Sequence, residues 1–301
     1  MPQIDSKEYL NYGQYTTGKP GSIRQPYYIV STIKPAVGLR RVTIPTNELE
    51  NRSRKTFFIE RIFFASDTGS QGTMAFAAEG IRVRPAQGRS WMESIVPVWP
   101  LFDCDGHIRF ERTIYPKVLS LPEPYPIAPG NTVQVDLQTN LDASPRAQVC
   151  VGLVGYTETI PAYIQPRFEP FYMGQGIIED TGEAPPYRPL LDDGETETFR
   201  FQVGEEAFLR YLGIRCYGVT EAIGDFYAAN DILVRYQISG KKKSMETPVP
   251  LGGLQDYHNR MIPLYDTRLE AGDTLEVEVT NRTGEDIYCL VALDGYRRRI
   301  R

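Results

Sequence analysis

The chain has 301 residues, of which 41% are apolar, 11% aromatic and 24% charged, and it contains 26 glycines and 23 prolines. This composition is typical of a globular protein rich in turns, and a fold of this size buries roughly three quarters of its unfolded surface without help from a metal or a disulfide. The formal net charge of −5 argues against binding of nucleic acid or anionic membrane by the surface as a whole.

The sequence also lacks the marks of a membrane-inserted or exported chain. No run approaches the roughly 18–20 consecutive apolar residues of a transmembrane helix, and the first residues lack the apolar core of a signal peptide. We therefore expect synthesis and folding in a cytosol.

The first half is predicted to be an arm followed by a β-sandwich. Residues 1–50 have little periodicity and scattered tyrosine, glycine and proline, which predicts an extended N-terminal arm. Residues 51–157 are predicted to form the first sandwich, because apolar or alternating runs bounded by turn formers indicate strands at 56–65, 73–78, 80–84, 91–101, 108–114, 133–138 and 148–156. Prolines in this half mark edges and loops, since proline cannot donate to a sheet ladder.

The second half is predicted to be a linker and a second sandwich. Residues 158–195 contain six prolines and are too long for a hairpin, which predicts a proline-rich crossover linker. Residues 196–301 are predicted to form the second sandwich and a basic C-terminal tail, with strands at 198–203, 208–217, 232–238, 261–265, 274–280 and 287–293.

One strand occurs in both halves. Residues 128–140 and 270–281 each contain a Gly-Asx turn and then strict apolar/polar alternation, and the offset that aligns Gly130 with Gly272 is 272 − 130 = 142. Further landmarks recur in the same order: 81–84 with 232–235, 114–116 with 261–263, and 153–156 with 293–296. We therefore predict an all-β protein with two tandem jelly-roll-like β-sandwich domains. An immunoglobulin-like sandwich is the nearest alternative, but its Cys…Trp…Cys spacing is absent.

Few residues are suited to catalysis. The histidines are His107 and His258, and residues 103–107 form the one cluster of acid, thiol and imidazole, although Asp-Gly between apolar runs is also a hairpin signal, which we favour. The acidic residues 192–197 are a candidate for calcium binding or catalysis, and we favour a solvated loop. No phosphate loop, nucleophile elbow or dinucleotide fingerprint occurs. We predict no catalytic, cofactor-binding or metal-binding residues.

Other conspicuous residues are given structural interpretations. Trp91 and Trp99 lie in a proline-rich apolar stretch and are interpreted as core anchors rather than a sugar-stacking platform. The Asn-x-Ser/Thr matches at Asn51 and Asn281 carry little weight as glycosylation sites without evidence of secretion. No CxxC spacing occurs, so we expect free thiols at Cys104, Cys150, Cys216 and Cys289.

Two basic clusters remain. Residues 241–243 are three lysines, interpreted as a solvated turn. The second cluster is predicted to lie beyond the last strand, where it can contact phosphate, lipid headgroups or an acidic neighbouring subunit, with a solubilising tail as the equal alternative. It consists of Arg297, Arg298, Arg299 and Arg301.

The arm, the two β-domains with ordered landmarks at an offset near 142, and the proline-rich crossover resemble the double jelly-roll major capsid proteins of tailless icosahedral viruses, especially those of membrane-containing bacteriophages. The resemblance implies a non-enzymatic subunit without cofactors, three copies of which make a pseudo-hexagonal trimer that tiles an icosahedral shell. It also implies a virion location, synthesis in the host cytoplasm, contacts with itself and neighbouring capsid proteins, and a role for the arginine tail at an internal membrane or genome.

Two alternatives to a major capsid protein stay open. A capsid cement, decoration or tail protein of a tailed phage is a related structural role, because sandwich duplication is common there too. A carbohydrate-binding or glycoside-active β-sandwich protein is the alternative from another class, since glycoside hydrolysis needs only two suitably spaced carboxylates.

Overall fold

The computed structural model describes residues 24–33, 41–67, 78–101, 117–139, 148–159, 166–176, 190–218, 231–239, 245, 247–255 and 261–298. Within these residues the chain folds into four antiparallel sheets that form two sandwiches. The helical segments among them are single turns, and none is long and apolar enough to cross a membrane.

The described residues of the first sandwich form eight strands. One sheet has the order β1-β8-β3-β6 and the other the order β2-β7-β4-β5. A 3₁₀ helix at Thr46–Leu49 precedes β3, and a helical turn at Val98–Leu101 follows β5. The strands are β1 (Gln25–Ile33), β2 (Arg41–Thr43), β3 (Thr56–Asp67), β4 (Ala78–Pro85), β5 (Val96–Pro97), β6 (Lys117–Ile127), β7 (Val133–Thr139) and β8 (Gln148–Glu158).

The second sandwich repeats this arrangement. One sheet has the order β9-β17-β12-β15, with the short β10 pairing with β17 beyond the end of β9, and the other has the order β11-β16-β13-β14. A helical turn at Leu251–Leu254 follows β14. The strands are β9 (Phe168–Gln175), β10 (Leu190–Leu191), β11 (Thr196–Gln202), β12 (Ala207–Gly218), β13 (Ile232–Ile238), β14 (Val249–Pro250), β15 (Ile262–Leu269), β16 (Thr274–Asn281) and β17 (Ile287–Arg298).

Both sandwiches are jelly rolls. If β9 and β10 count together as the first strand of the second sandwich, both have the strand order 1-8-3-6 in one sheet and 2-7-4-5 in the other. This order is that of a double-sheet jelly roll, in which Greek-key connections pair strands distant in sequence. The predicted fold class is confirmed.

The repeated strand occupies the same place in both sandwiches. β7 lies between β2 and β4, and β16 lies between β11 and β13, and the alternating apolar side chains of each strand are buried. The offset of 142 makes Asp136 the counterpart of Glu278, and each carboxylate pairs with an arginine on the next strand, Arg82 and Arg235 respectively. The duplication therefore extends from the strand pattern to a cross-strand ion pair.

Two of the three other landmark matches need correction. Ile81 lies opposite Val96, and Val234 lies opposite Val249, so the counterpart of Ile81 is Val234 rather than Ile232. A shift of two residues keeps every side chain on the same face of a strand, so an alternating pattern does not reveal it.

The two remaining landmark matches, 114–116 with 261–263 and 153–156 with 293–296, are tested by the pairing of β6, β8, β15 and β17. Arg61 and Tyr211 are counterparts, because each follows the register shift in its strand. Arg61 pairs with Ser120 and Tyr211 pairs with Pro263, so the counterpart of Pro263 is Ser120 rather than Pro116. The match of 153–156 with 293–296 is confirmed, because Gly155 and Gly295 both lie at a register shift.

Three segments fold differently from the prediction. Residues 25–33 and 41–43 are sheet strands of the first sandwich rather than part of an arm, since β1 pairs along its whole length with β8. Residues 168–175, assigned to the linker, form β9, which tolerates Pro170 because, among the described residues, the edge of β9 that faces away from β17 has only an isolated bridge from Tyr172 to Met92. In 91–101, Pro97 and Pro100 limit the predicted strand to two residues before the helical turn. The predicted strand at 108–114, and 73–77 of another, lie outside the described residues.

Candidate assembly surface

The two sandwiches meet where residues 91–101 of the first cover the outer face of the β9-β17-β12 sheet of the second. β17 is consequently buried on both faces: Leu290 and Ala292 belong to the first hydrophobic core, while Val291 and Leu293 belong to the second. Tyr172 of β9, only 1% exposed, also packs in the first core. We call this contact the internal joint.

Backbone contacts and small residues bring the two parts of the internal joint close together. The Tyr172 amide donates a hydrogen bond to the Trp91 carbonyl oxygen at 3.0 Å. Gly174 packs against Pro97, and Gly213 packs against Pro100, so closely that a Cβ on either glycine would collide with its proline neighbour. Both positions therefore require glycine for close approach rather than for an unusual backbone angle.

A buried ion pair lies in the internal joint. Arg210 Nη2 donates to both carboxylate oxygens of Asp294 at 2.8 Å and to the Ser120 carbonyl oxygen of the first sandwich, also at 2.8 Å. Burial raises the pKa of Asp294 above its ordinary value, and the charge and hydrogen bond of Arg210 oppose that shift. The arginine thus links a buried carboxylate of one sandwich to the backbone of the other.

Arg297 also lies in the internal joint, which corrects the predicted tail. β17 continues through Arg298, and the Arg297 side chain is only 4% exposed. Its guanidinium donates to Glu205 Oε1 and to the Ser90 carbonyl oxygen, both at 2.9 Å. Because these contacts bury and neutralise it, Arg297 is not available for a membrane or a genome. Arg299 and Arg301 lie outside the described residues.

The edge of the first sandwich completes the internal joint. The Glu123 carboxylate in β6 accepts a hydrogen bond from the Phe168 amide, at the start of β9, at 2.7 Å. Burial raises the pKa of Glu123, and hydrogen bonds from the backbone of Phe168 and Arg167 act against this shift.

The strand registers identify which residues of the first sandwich correspond to those in the internal joint. Tyr28 lies opposite Val154, as Tyr172 lies opposite Asp294. In the same way, Val30 and Phe63 both lie opposite Gly152, and Gly174 and Gly213 both lie opposite Ala292. Val30 is therefore the counterpart of Gly174, and Phe63 is the counterpart of Gly213.

An aromatic pair supports this correspondence. Phe58 and Tyr156 stack with ring centroids 5.1 Å apart, and their counterparts Phe208 and Tyr296 stack at 5.2 Å. The outer faces of the two sheets therefore share side-chain packing as well as register.

The corresponding face of the first sandwich is open. Tyr28 is 71% exposed, whereas its counterpart Tyr172 is 1% exposed, and Val30 is 45% exposed. We call Tyr28, Val30, Phe63 and Val154, with the adjoining groove, the free face. The groove has a volume of about 430 Å³ and is lined by Arg24, Pro26, Tyr27, Tyr28, Glu60, Arg61, Val154, Gly155 and Tyr156.

The predicted core and loop residues are partly confirmed. Trp91 is fully buried and packs edge-on against Tyr125 with ring centroids 4.9 Å apart, as expected of a core anchor. The side chain of Trp99 is outside the described residues. Residues 192–197 are exposed, but only 192–195 form the predicted solvated loop, in which Asp193 Oδ1 accepts a hydrogen bond from the Gly284 amide at 3.0 Å, because Thr196 and Glu197 begin β11.

Asn51 and Asn281 have a role that the sequence analysis missed. Both are fully buried, so neither is accessible for glycosylation in the folded chain. Each side-chain amide donates to the carbonyl oxygen four residues later, and each side-chain oxygen accepts from the residue two positions later, Ser53 or Thr283. The repeated Asn-Arg-Ser/Thr triplet was the available signal for this turn.

The described cysteines do not form disulfides. Cys150, Cys216 and Cys289 are free thiols, as predicted. Cys216 and Cys289 pair across β12 and β17 with their sulfurs 3.4 Å apart. The hydrogen bond from Cys216 and burial raise the pKa of Cys289 well above its ordinary value, so a nucleophilic thiolate is disfavoured there.

The candidate catalytic cluster at 103–107, His258 and the lysines at 241–243 lie outside the described residues. Cys104 lies there too. Among the residues that the structure describes, no group of three or more His, Cys, Asp or Glu side chains is placed to hold a metal ion.

The fold defines a protein of two jelly rolls. No protein-family model matches the sequence, and no curated protein matches it. Among solved structures the chain is similar to the major capsid protein P2 of bacteriophage PM2, with a TM-score of 0.40 and 11% identity over 91% of this chain and 99% of that one.

Two further solved structures are similar over most of this chain. A chain of the Sputnik virophage has a TM-score of 0.33 and 10% identity over 93% of this chain and 88% of its own. A chain of Sulfolobus Turreted Icosahedral Virus has a TM-score of 0.22 and 11% identity over 93% of this chain and 60% of its own. The jelly-roll assignment itself rests on the strand order.

Proposed function

We propose that the protein is a structural subunit of a virus capsid and works by self-assembly rather than by catalysis. The observation that carries the proposal is the relation between the internal joint and the free face. One jelly roll covers the outer face of the other, while the corresponding face of the first remains open and carries the exposed Tyr28 and Val30. Exposed apolar side chains grouped on one face are typical of a protein–protein contact.

Three copies of such a chain bring six jelly rolls together. The proposed trimer has threefold symmetry in its chains and near-sixfold symmetry in its sandwiches, so it fits a hexagonal position in an icosahedral shell. This role places the protein in the virion, where its partners are further copies of itself and neighbouring capsid proteins.

The solution mass and outline of the protein test this function. We expect a threefold mass by sedimentation and a flat hexagonal outline in electron micrographs, with ordered sheets or shells at high concentration. In purified particles that contain it, a major capsid protein is the most abundant chain, whereas a cement protein is not. A monomer at every concentration that binds glycans on an array would contradict the proposal and favour the carbohydrate-binding alternative.

A further inference from the structure

We infer that the free face binds two parts of the second sandwich of another copy: residues 249–254, which we call the docking turn, and the Tyr265–Asp266 bulge. The inference rests on the proposed assembly role and assigns the surfaces that carry it. It follows from the internal joint, where the corresponding parts of the first sandwich already bind the corresponding face of the second.

The docking turn is the counterpart of residues 96–101. Both segments begin with Val-Pro, pair with the neighbouring strand over two residues and continue into a single helical turn. Pro97 is buried in the internal joint, whereas its counterpart Pro250 is exposed. The segment that fills one joint therefore has a duplicate that is open to solvent.

Side-chain sizes at the two surfaces are complementary. In the internal joint, Pro100 packs on Gly213, which has no side chain. At the corresponding positions the docking turn carries Gly253 and the free face carries Phe63. In the internal joint the ring is on the turn and the glycine is on the sheet, whereas in the proposed contact the glycine is on the turn and the ring is on the sheet. Each contact therefore packs one ring against one glycine.

The Tyr265–Asp266 bulge provides the second part of the surface. It interrupts β15 where residues 122–124 interrupt β6, and Tyr265 is 86% exposed. Tyr265 and Asp266 have φ angles of 51° and 55°, a left-handed conformation that costs about 1 kcal/mol or more for a residue with a side chain. A strained bulge that holds an aromatic ring in solvent points to a contact with another molecule.

The positions opposite the bulge are also complementary. In the internal joint, Glu123 of the β6 bulge reaches the Phe168 amide. The register makes Arg24 the counterpart of Phe168, so the acidic bulge of another copy approaches a basic residue. Arg24 and Tyr28 line the groove of about 430 Å³, which is large enough to receive the Tyr265 ring.

The distribution of exposed side chains agrees with this assignment. Among the described residues, the large hydrophobic side chains that stand out into solvent are Tyr28, Val30 and Tyr265. Two lie on the free face, and the third lies on the bulge that we assign to it. Because the two surfaces differ, the contact is head-to-tail, and the trimer is the closed ring that a head-to-tail contact forms when its rotation closes.

The first test places a charge on the free face. We expect wild-type protein to sediment with a threefold mass and the Val30→Glu variant with a onefold mass at the same concentration, because the glutamate would be buried at the contact. Tyr265→Ala, which alters only an exposed side chain, should weaken association at least tenfold. Thr196→Glu, at an exposed position of β11, is the matched control and should remain a trimer.

The second test cross-links the two surfaces. Val30 corresponds to Gly174 and Pro250 to Pro97, which are in contact in the internal joint. The double variant Val30→Cys, Pro250→Cys should therefore form disulfide-linked dimers and trimers under oxidation. Either single variant should give only the background of the native thiols.

The outcomes separate the surface assignment from the proposed function. If wild-type protein is a trimer and Val30→Glu and Tyr265→Ala remain trimers without specific cross-linking, the assignment is wrong and the capsid role stands. If wild-type protein stays a monomer at millimolar concentration, both fail. Circular dichroism and melting temperature identify a Val30→Glu variant that is unfolded, in which case Tyr265→Ala and the cross-link decide.

Discussion

At the scale of single residues, two buried asparagines each hold a turn in place. The Asn51 amide donates to the Lys55 and Ile127 carbonyl oxygens, both at 2.9 Å. The Asn281 amide donates to the Leu191 carbonyl oxygen at 3.0 Å and to that of Glu285. Each side chain thus ties its own turn to a more distant strand.

We predict that Asn51→Ala and Asn281→Ala each lower the free energy of unfolding by about 1–3 kcal/mol, because each leaves buried hydrogen-bonding groups without a partner. Urea denaturation measures the change. Asn47→Ala, at an exposed position in the 3₁₀ helix, is the control and should change the stability by less than about 0.5 kcal/mol. Equal effects at all three positions would show that the buried amides have no special role.

Asp136 is a buried carboxyl group whose lowered pKa makes the stability of the protein depend on pH. Its side chain is 3% exposed, and it accepts hydrogen bonds from Arg82, Arg84 and Thr43 at 2.7–3.0 Å. Burial by itself would raise the pKa, but the hydrogen bonds from Arg82 and Thr43 and the charge of Arg84 outweigh it, so the pKa lies below its ordinary value of 3.8.

A carboxyl group with a lowered pKa in the folded state stabilises the protein fully above its unfolded pKa, and this contribution is lost as the pH falls through the folded pKa. We predict that the free energy of unfolding declines as the pH falls below about 4. Asp136→Asn should reduce this decline and lower the stability at pH 7. Thermal melts across this range, with the exposed-site variant Glu270→Gln as control, test the assignment. An unchanged pH profile in Asp136→Asn would contradict it.

At the scale of strands, the sequence-based predictions were most accurate for strands that have one buried face and one solvent-exposed face. The alternation in β16 matches its burial residue by residue, and the same holds for the apolar positions of β7. Such a pattern states which face is buried, so β7 and β16 were assigned with nearly correct ends. Their common offset also identified the duplication.

Strands whose burial depends on another part of the chain could not be predicted. β9 reads as a proline-containing loop because Tyr172 and Gly174 gain their partners only when residues 91–101 pack on them. The free face was likewise invisible, since it is defined by comparing Tyr28 with Tyr172, and that comparison needs the strand order. Sequence periodicity carries no information about which sheets lie back to back.

The internal joint gives a prediction for its glycines. Gly213→Ala should lower the free energy of unfolding by about 1–3 kcal/mol, because the added methyl group collides with the backbone of Pro100 and the strand must shift. Gly204→Ala is the control, since a Cβ at that position meets no atom within 4 Å. Denaturation by guanidinium measures both. A loss at Gly204 as large as that at Gly213 would mean that chain flexibility, rather than the contact, explains the result.

At the scale of the whole molecule, the two jelly rolls share structure and are expected to unfold together. Leu290 and Ala292 of the second sandwich are part of the first core, and Arg210 joins Asp294 to the Ser120 backbone. The register places Glu60 and Val154 at the positions of Arg210 and Asp294 in the first sandwich, so the free face lacks this ion pair. The buried ion pair therefore distinguishes the internal joint from the proposed contact between copies.

Removing Arg210 tests how far this ion pair holds the molecule together. We predict that Arg210→Met lowers the free energy of unfolding by about 3–5 kcal/mol, because it leaves the buried Asp294 carboxylate without its charge partner. The double variant Arg210→Met, Asp294→Asn should lose less than the single variant, since it buries no unpaired charge. Wild-type protein should unfold in one transition, and Arg210→Met should separate the two sandwiches into two transitions.

The matched control is Arg200→Met on β11, where the side chain is 66% exposed and pairs with Glu276 at 3.1 Å. An exposed pair contributes little because water and salt screen it, so we expect a change below about 1 kcal/mol and a single transition. Calorimetry distinguishes one transition from two. If Arg210→Met and Arg200→Met behave alike, the apolar contacts of Leu290 and Ala292 are sufficient to couple the sandwiches, and the buried pair contributes orientation rather than stability.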